Sequence, residues 1–450
     1  MSAAAQSLCS IQDPAIKSRI KSLCVADNFT NAWYLVRTWL YLIAVMGTAM
    51  YLYTVIDDNH YPWLWNVPVA LIAIALVGAG QHQLTGLAHE ASHSTLFRNK
   101  KVNDLVSDWF CMFPMFSTTH HYRLQHIAHH QFTNDPDRDP DVSQLKTSGH
   151  WLPFPMLKRE FVNTVIKQLW PLNLFRYMRI RAMYNAVGTD KNPYLRSTGK
   201  PTPKTAVRVA LVYLLGLVAS LGFLVAWASW PVLIAAPIIA GAAIVAFYGL
   251  LPDHYYKATR MRSVFTPKQM TMMRMTYFTL YFSCVAWATR WSGRPVYEWM
   301  FVLWIIPIFT SFSFFMVLRQ LVQHGNADRG WLTNTRTFFV NPFIRFAVFP
   351  MGQDFHLPHH MYASVPHYKL KDLHETLMET EEYNTEATVV EGYFYPPIDP
   401  PRNPTVLDVV GPEYAGHRDE IHLDHTVLES VEVEGKEELL ALGSGNPKSG

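Results

Sequence analysis

The sequence predicts an all-α integral membrane protein: a helical bundle of four to six transmembrane helices with a cytosolic helical cap. Three observations predict it. Half of the 450 residues are apolar and only 16% are charged. The apolar residues gather in runs close to the ~20 residues that cross a bilayer, rather than along amphipathic faces. The basic residues concentrate in two of the loops between those runs, and such asymmetry sets orientation.

Taken in order, the candidate spans are 34–55, 66–87, 206–228, 231–251, 274–290 and 299–321. The first two flank Asp57-Asp58-Asn59, a polar turn without Lys or Arg, and the third and fourth meet at Trp230-Pro231. The fifth is the shortest and carries Ser283 and Thr289, so it competes with an interfacial placement. Segment 98–204 holds Arg98, Lys100, Lys101, Arg123, Lys158, Arg159 and the run from Arg176 to Arg181, and segment 252–273 holds Lys257, Arg260, Arg262 and Lys268. Both loops and the N-terminus are therefore expected inside. Arg290 and Arg294 go against this scheme, which puts them outside.

Within the first loop, 104–117 is apolar but short and reads as an interfacial or re-entrant helix. The chain divides into an N-terminal cytosolic segment (1–33), a membrane catalytic unit (34–375) and a polar tail (376–450). The tail, with Pro396-Pro397, Pro400-Pro401 and an acidic end, reads as an extended, partly disordered appendage. No secretory signal precedes the first run. Cys9, Cys24, Cys111 and Cys284 form no CxxC pair and no disulfide framework, which suits a reducing compartment. A net charge of +3 is too small to argue for nucleic acid. Trp63, Trp65, Trp291 and Trp299 sit near span ends, as an interfacial belt does.

Three histidine clusters carry the chemistry. They are His89-Glu90-Ala91-Ser92-His93 at the inner end of the second span, His126-Ile127-Ala128-His129-His130 in the first loop, and His356-Leu357-Pro358-His359-His360 after the last span. His324 ends that last span. Residues three and four apart share a helix face, so each cluster aims its imidazoles together, with Pro358 disturbing the third. Neutral imidazole is a ligand for iron, copper and zinc. Nine such ligands exceed what one ion uses and suit two. All nine reach one side of the membrane only if an even number of crossings follows residue 200, and four candidates lie there.

HxxxH, HxxHH and HxxHH, in this order around spans, resemble the histidine boxes of the membrane fatty-acid desaturase/hydroxylase superfamily, over roughly 30–375. Asn134-Asp135-Pro136-Asp137-Arg138-Asp139-Pro140-Asp141 after the second box resembles a further feature of that family, and His324 stands where several relatives carry an extra ligand. Gln320 departs from it, since some acyl-CoA desaturases have Asn there. The resemblance implies a pair of irons (Fe2+/Fe3+) held by His89, His93, His126, His129, His130, His324, His356, His359 and His360, with dioxygen as co-substrate. It implies oxidation of unactivated C–H bonds in a lipid drawn from the bilayer, with fatty-acyl desaturation first. Hydroxylation, ketolation or oxidative decarboxylation of a fatty acid, alkane or carotenoid is the alternative. No haem-binding segment or nucleotide fingerprint is apparent, so the expected electron donor is separate: a ferredoxin, or a cytochrome b5 type with its reductase. The expected location is the bacterial inner membrane or the endoplasmic reticulum, with the site facing the cytosol.

Other roles compete for these residues. HExxH is also a zinc-protease signature with Glu as base, but seven further histidines in ligand spacing exceed what one zinc needs. A metal transporter would place ionisable residues deep within several spans, whereas most histidines here lie at span ends. Gln320, Asp137, Asp354 and His82 are candidates for hydrogen bonding behind the ligands, as are Asp139, Asp141 and Glu90. His120 and His121 are expected beside the centre rather than in it, and His254 at the membrane surface. His417, His422 and His425 are expected in solvent.

Overall fold

A computed structural model describes residues 11–187, 192–196, 202–416, 421–424 and 426–441. The helices are, in order, α1 (Pro14–Leu23), α2 (Thr30–Asp58), α3 (Asn66–Ser92), α4 (Lys100–Ser107), α5 (Thr119–Gln131), α6 (Pro140–Ser148), α7 (Lys158–Gln168) and α8 (Pro171–Val187). There follow α9 (Thr205–Trp227), α10 (Trp230–Leu250), α11 (Pro267–Ser292), α12 (Val296–Gln323), α13 (Pro342–Ala347), α14 (His356–Met361) and α15 (Leu370–Leu377). Two short strands, β1 (Thr337–Phe339) and β2 (Val389–Glu391), pair in parallel.

Five helices are long and apolar enough to cross a membrane: α2, α3 with its lead-in turn from Trp63, α9, α10 and α12. Their apolar residues face outward as well as inward. Leu40, Ile43, Leu71, Ile72, Leu211, Val212, Ile238 and Ile239 are all exposed, as lipid-facing positions are. α12 is not regular: it opens through a π turn at Phe301–Ile305 and breaks at Thr310.

α11 falls short in apolarity, yet it stands upright beside α9 and α10. Lys268 near its start pairs with Asp253 just past the end of α10 (3.1 Å), and Trp287 near its end donates to the Leu233 carbonyl near the start of α10 (3.1 Å). The two helices are thus antiparallel over their full length, so 274–290 lies alongside a helix of membrane-crossing length. Arg294, just after α11, pairs with Asp57 (2.9 Å) and Asp58 (2.5 Å) at the end of α2. The cation that ran against the loop-charge rule therefore sits on two carboxylates at the same end of the bundle.

Close packing of α3 positions everything else. It is fully buried from Val77 to Ser92 except at Thr85. Gly80 lies against Leu42 of α2, and Gly78 against Ser311 and Phe312 of α12. Small residues of this kind let membrane helices approach closely. α4 continues into a π turn at Asp108–Met112 and keeps Val102, Leu105 and Phe110 exposed.

The tail is not the extended appendage expected. β2 joins β1, Val406, Val409 and Val410 enter the main core, and Val427, Leu428 and Leu439 pack on Leu124, Ile127 and Ala128 of α5. Its Gly443-Ser444-Gly445 end lies outside the described residues. At the other terminus, Ile16 and Ile20 of α1 pack on Leu370, Leu373 and Leu377 of α15.

A Cβ at Gly78 would stand 2.6 Å from the Phe312 nitrogen. Gly78→Val is therefore expected to push α12 off α3 and to destabilise by about 1–3 kcal/mol, the usual range for overpacking. Thermal unfolding in detergent, followed by tryptophan fluorescence, measures it.

Candidate metal centre

Four elements bring the histidines together: the end of α3, α5, the end of α12 and α14. Each is fixed by a neighbouring polar group. Arg123 of α5 reaches across to the end of α3, where it donates to the Ala91 (2.7 Å) and Ser92 (2.9 Å) carbonyls between His89 and His93. Its charge is matched by Asp104 of α4 through two bonds of 2.6 and 2.9 Å. Asn103 adds a bond to the Ala91 carbonyl (3.0 Å). These satisfy carbonyls that a helix end otherwise leaves bare. Arg336 does the same at the end of α12, donating to the Val322 (3.0 Å) and Gly325 (2.6 Å) carbonyls beside His324.

The third box is held by β1. The Phe338 N–H donates to the Asp354 carbonyl (2.7 Å) and the Leu357 N–H to the Arg336 carbonyl (3.1 Å). Pro358 does not break α14, because it sits in the first turn, where no N–H is needed. The second box is held by the cap of α6. Asp139 accepts from the Asp141 (2.8 Å) and Asn134 (2.9 Å) N–H groups, and its two oxygens accept from His129 Nδ1, each at 3.0 Å.

The eight box histidines and His324 resolve into two sets, His89, His93, His126, His130 and His359, and His129, His324, His356 and His360. All but the half-buried His324 are buried. The rings of His130 and His360 stack at 4.2 Å and join the sets. In the first set, Nε2 of His126 lies 2.8 Å from that of His93 and 3.1 Å from that of His130, which lies 3.0 Å from that of His359. A neutral imidazole nitrogen offers one hydrogen or one lone pair. Two nitrogens that each face two others therefore cannot be completed by hydrogen bonds alone. A cation among them completes all four, and right-angled ligands on an ion with bonds of about 2.1 Å lie about 3.0 Å apart.

In the second set three of the four outer nitrogens are engaged, and Nδ1 of His356 is buried without a partner. His129 Nδ1 is on Asp139, His324 Nδ1 donates to the Asn334 carbonyl (3.0 Å), and His360 Nδ1 lies 3.3 Å from Thr133 Oγ1. That leaves His360 Nε2 buried without a partner, and His324 Nε2 2.9 Å from His356 Nε2. The residues thus fit metal ions. Burial and the neighbouring rings hold the pKa values of His126, His130, His356 and His360 well below the ordinary imidazole range, and burial takes His359 to about 3. Neutral rings keep their lone pairs for a cation. Burial acts on His129 in the same direction, but Asp139 outweighs it through charge and hydrogen bond and raises it to about 9. A ring polarised this way is the more basic ligand.

The supporting candidates fall differently. Asp137 is exposed on the loop. The carboxylate that grips a box histidine is Asp139, two residues on, because it is the helix cap. Asp354 pairs with Arg345 (2.8 Å) rather than with His356. Burial raises its pKa to about 6. Gln320 accepts from the Tyr177 hydroxyl (2.7 Å), and its Nε2 is buried without a partner at a cavity it shares with His324 and His356. His82 donates from Nδ1 to the Ala347 carbonyl (2.8 Å) and so ties α3 to α13. Glu90 accepts through Oε2 from Thr95 Oγ1 (3.0 Å) and the His367 N–H (2.9 Å), and its Oε1 lies 3.6 Å from Nδ1 of His89. His120 lies 3.3 Å from Thr259 Oγ1 and His121 lines an apolar cavity. His254 is exposed, and His422 is half-buried near Trp331. His417 and His425 lie outside the described residues.

Sequence reasoning counted Arg123 only as a loop charge and did not single out Arg336, Asn103 or His367. The one available signal was Arg123, the sole Asp, Glu, Lys or Arg residue between Asp108 and Asp135.

Arg123→Met leaves buried Asp104 without its ion-pair partner and takes the arginine donor from the Ser92 carbonyl, with Asn103 still reaching Asp104 and the Ala91 carbonyl. It is expected to cost about 3–5 kcal/mol, as breaking a buried pair does, read as a fall in unfolding temperature. Asp139→Asn keeps the cap but removes the charge from His129. Metal affinity is expected to fall about 10–100-fold, as read by titration against a chelator.

A profile of the family described as "Fatty acid desaturase" matches residues 62–274 and 258–389. The dihydrorhizobitoxine desaturase of Bradyrhizobium elkanii is 30% identical over 135 residues, 30% of this chain and 37% of that protein. The Delta(5) fatty acid desaturase fat-4 of Caenorhabditis elegans is 31% identical over 105 residues, 23% of this chain and 22% of that protein. The sn-1 acyl-lipid omega-3 desaturase (ferredoxin) of Nostoc sp. is 24% identical over 219 residues, 48% and 55% of the two chains. The matches thus span no more than 55% of these relatives' lengths. With five helices of membrane-crossing length and apolarity and a family profile over most of its length, the chain is an integral membrane protein that belongs to the fatty acid desaturase family.

Proposed function

We propose that the chain is a dioxygen-dependent lipid desaturase whose nine histidines hold two iron ions, one in each set. A single observation carries this reading: two sets of buried ring nitrogens, several with nothing to bond, stand beside an apolar cavity. That cavity is about 240 Å³ and is walled by Met112, Met115, Phe116, Ile308, Phe312 and Met316. A smaller space of about 30 Å³, lined by His89, His126, His129, His324 and His356, adjoins it across Tyr122.

The bound irons supply the activation of dioxygen and the oxidation of a C–H bond. The chain's own residues position and shield. The apolar wall takes an alkyl chain from the bilayer, with about 0.8 kcal/mol for each methylene buried. Tyr122, stacked on His126 at 5.4 Å, stands where the two spaces meet. Asp139 and Asn334 hold His129 and His324 in one ring orientation, and the buried walls keep water from the reacting carbon.

Electrons come from a separate carrier, a ferredoxin or a cytochrome b5 type with its reductase. The Nostoc relative has ferredoxin in its name. Lys100 and Lys101 line a surface groove at Ser94, one residue past His93, beside the Arg262–Glu432 ion pair (3.2 Å), and the two lysines suit an acidic carrier. The site is read as facing the cytosol because the basic loops lie at its end of the bundle.

The test is lipid and hydrocarbon profiling of a host that expresses the wild type beside His129→Ala, with metal analysis of both proteins. The expected wild-type result is products lighter by two hydrogens and two irons per chain. The expected variant result is no new product and less iron. Products that gain oxygen would make it a hydroxylase, and a single zinc would end the oxidase reading.

A further inference from the structure

Two arginines stand in the wall between the apolar cavity and the histidine centre. Arg181 of α8 and Arg319 of α12 line both the large cavity and the small one, together with Tyr122 and Asn185. Arg319 has no hydrogen bond or ion pair among the described residues, and its Nε is buried without a partner. Arg181 donates to the neutral Gln144 (3.1 Å). Asp141 is the one carboxylate among the residues lining the two spaces, and among the described residues it is ion-paired to neither arginine.

This placement is costly for stability alone. An ionised group in an apolar wall keeps its charge only with a partner, and like charges facing one space raise the cost: Arg181 and Arg319 face both spaces, and Arg274 lines the large one as well. An ionisable residue within a membrane span points to function by default, and Arg319 lies within α12. Guanidinium is the side chain best matched to a planar or tetrahedral oxyanion, through paired N–H bonds. The buried arginines at Ala91 and Val322 show the contrast. They spend their donors on helix-end carbonyls, whereas Arg319 and Arg181 keep donors for the cavity.

We propose that Arg181 and Arg319 form an oxyanion site for the substrate's charged end, so that the substrate is an anionic amphiphile bound with its charge beside the metal centre and its tail in the apolar cavity. The carbon oxidised then lies near the anionic group rather than deep along the chain. The shared chemistry is a carboxylate or a phosphate ester on an alkyl chain. This rests on the oxidase reading for the reaction, but the binding site stands or falls separately.

The test uses the full-length protein in nanodiscs at pH 8, with labelled dodecanoate displaced by dodecanoate, dodecyl phosphate or dodecanol. In the wild type at least one oxyanion is expected to compete about tenfold or more better than the alcohol, as charged hydrogen bonds allow. Which of the two competes better identifies carboxylate or phosphate as the group held. In Arg319→Gln and Arg181→Gln the preference is expected to drop below about threefold while dodecanol affinity stays the same, which shows an intact cavity. Equal competition by acid, phosphate and alcohol in the wild type overturns the proposal without any variant, as does a preference that survives both substitutions. Lost preference with lipid products still formed removes this site alone. Retained preference with no oxidised product from any lipid removes the oxidase reading alone.

Discussion

The centre depends on how two helix ends are finished. α3 and α12 each stop where they carry a histidine, and a helix that stops inside a protein leaves carbonyls facing a dry interior. Arg123 and Arg336 fill those positions. Each comes from the segment that leads into the next histidine box, so closing one helix end also delivers the following box. Arg123 links the first box to the second, and Arg336 links His324 to the third through the Leu357 N–H. Asp104 makes the first link affordable by neutralising the buried guanidinium. Remove that balance and the three boxes have no common frame.

Within the frame, polarity is sorted by depth. Asp139, Asn334 and Thr133 meet the second set from behind, and the inner nitrogens of both sets turn toward each other. Burial keeps most rings uncharged, and a single carboxylate makes one ring more basic than the rest. On the bilayer side the wall becomes apolar, interrupted by Arg181 and Arg319. The arrangement grades from ionic to neutral to apolar over neighbouring side chains, which is what a reaction at an alkyl carbon beside a charged centre requires.

Much of this was legible in the sequence, and what was not has physical causes. Spacing located all nine histidines and five of the spans outright, because three- and four-residue periodicity and apolar run length are local properties. α11 was underrated because hydropathy counts its hydroxyls as exposed. Thr276, Thr279, Ser283 and Thr289 in fact donate to carbonyls four residues back, so the polarity is satisfied within the helix. Arg294 misled the charge count because its partners, Asp57 and Asp58, are far away in sequence. Asp139 was one of several acids in one loop, and only the start of α6 distinguishes it from Asp137. The tail misled by composition: a few Val and Leu residues suffice to dock a polar segment when the receiving surface is already built.

That docking has a consequence for biosynthesis. The second box emerges from the ribosome some three hundred residues before Val427, Leu428 and Leu439, which cover the back of its helix, and well before β2 completes the pairing that carries the third box. A nascent chain therefore displays imidazoles that lack both their backing and their remaining partners. Loading with metal in the final arrangement has to wait for translation to finish, so inserting the spans and building the centre are separate events in the life of the protein.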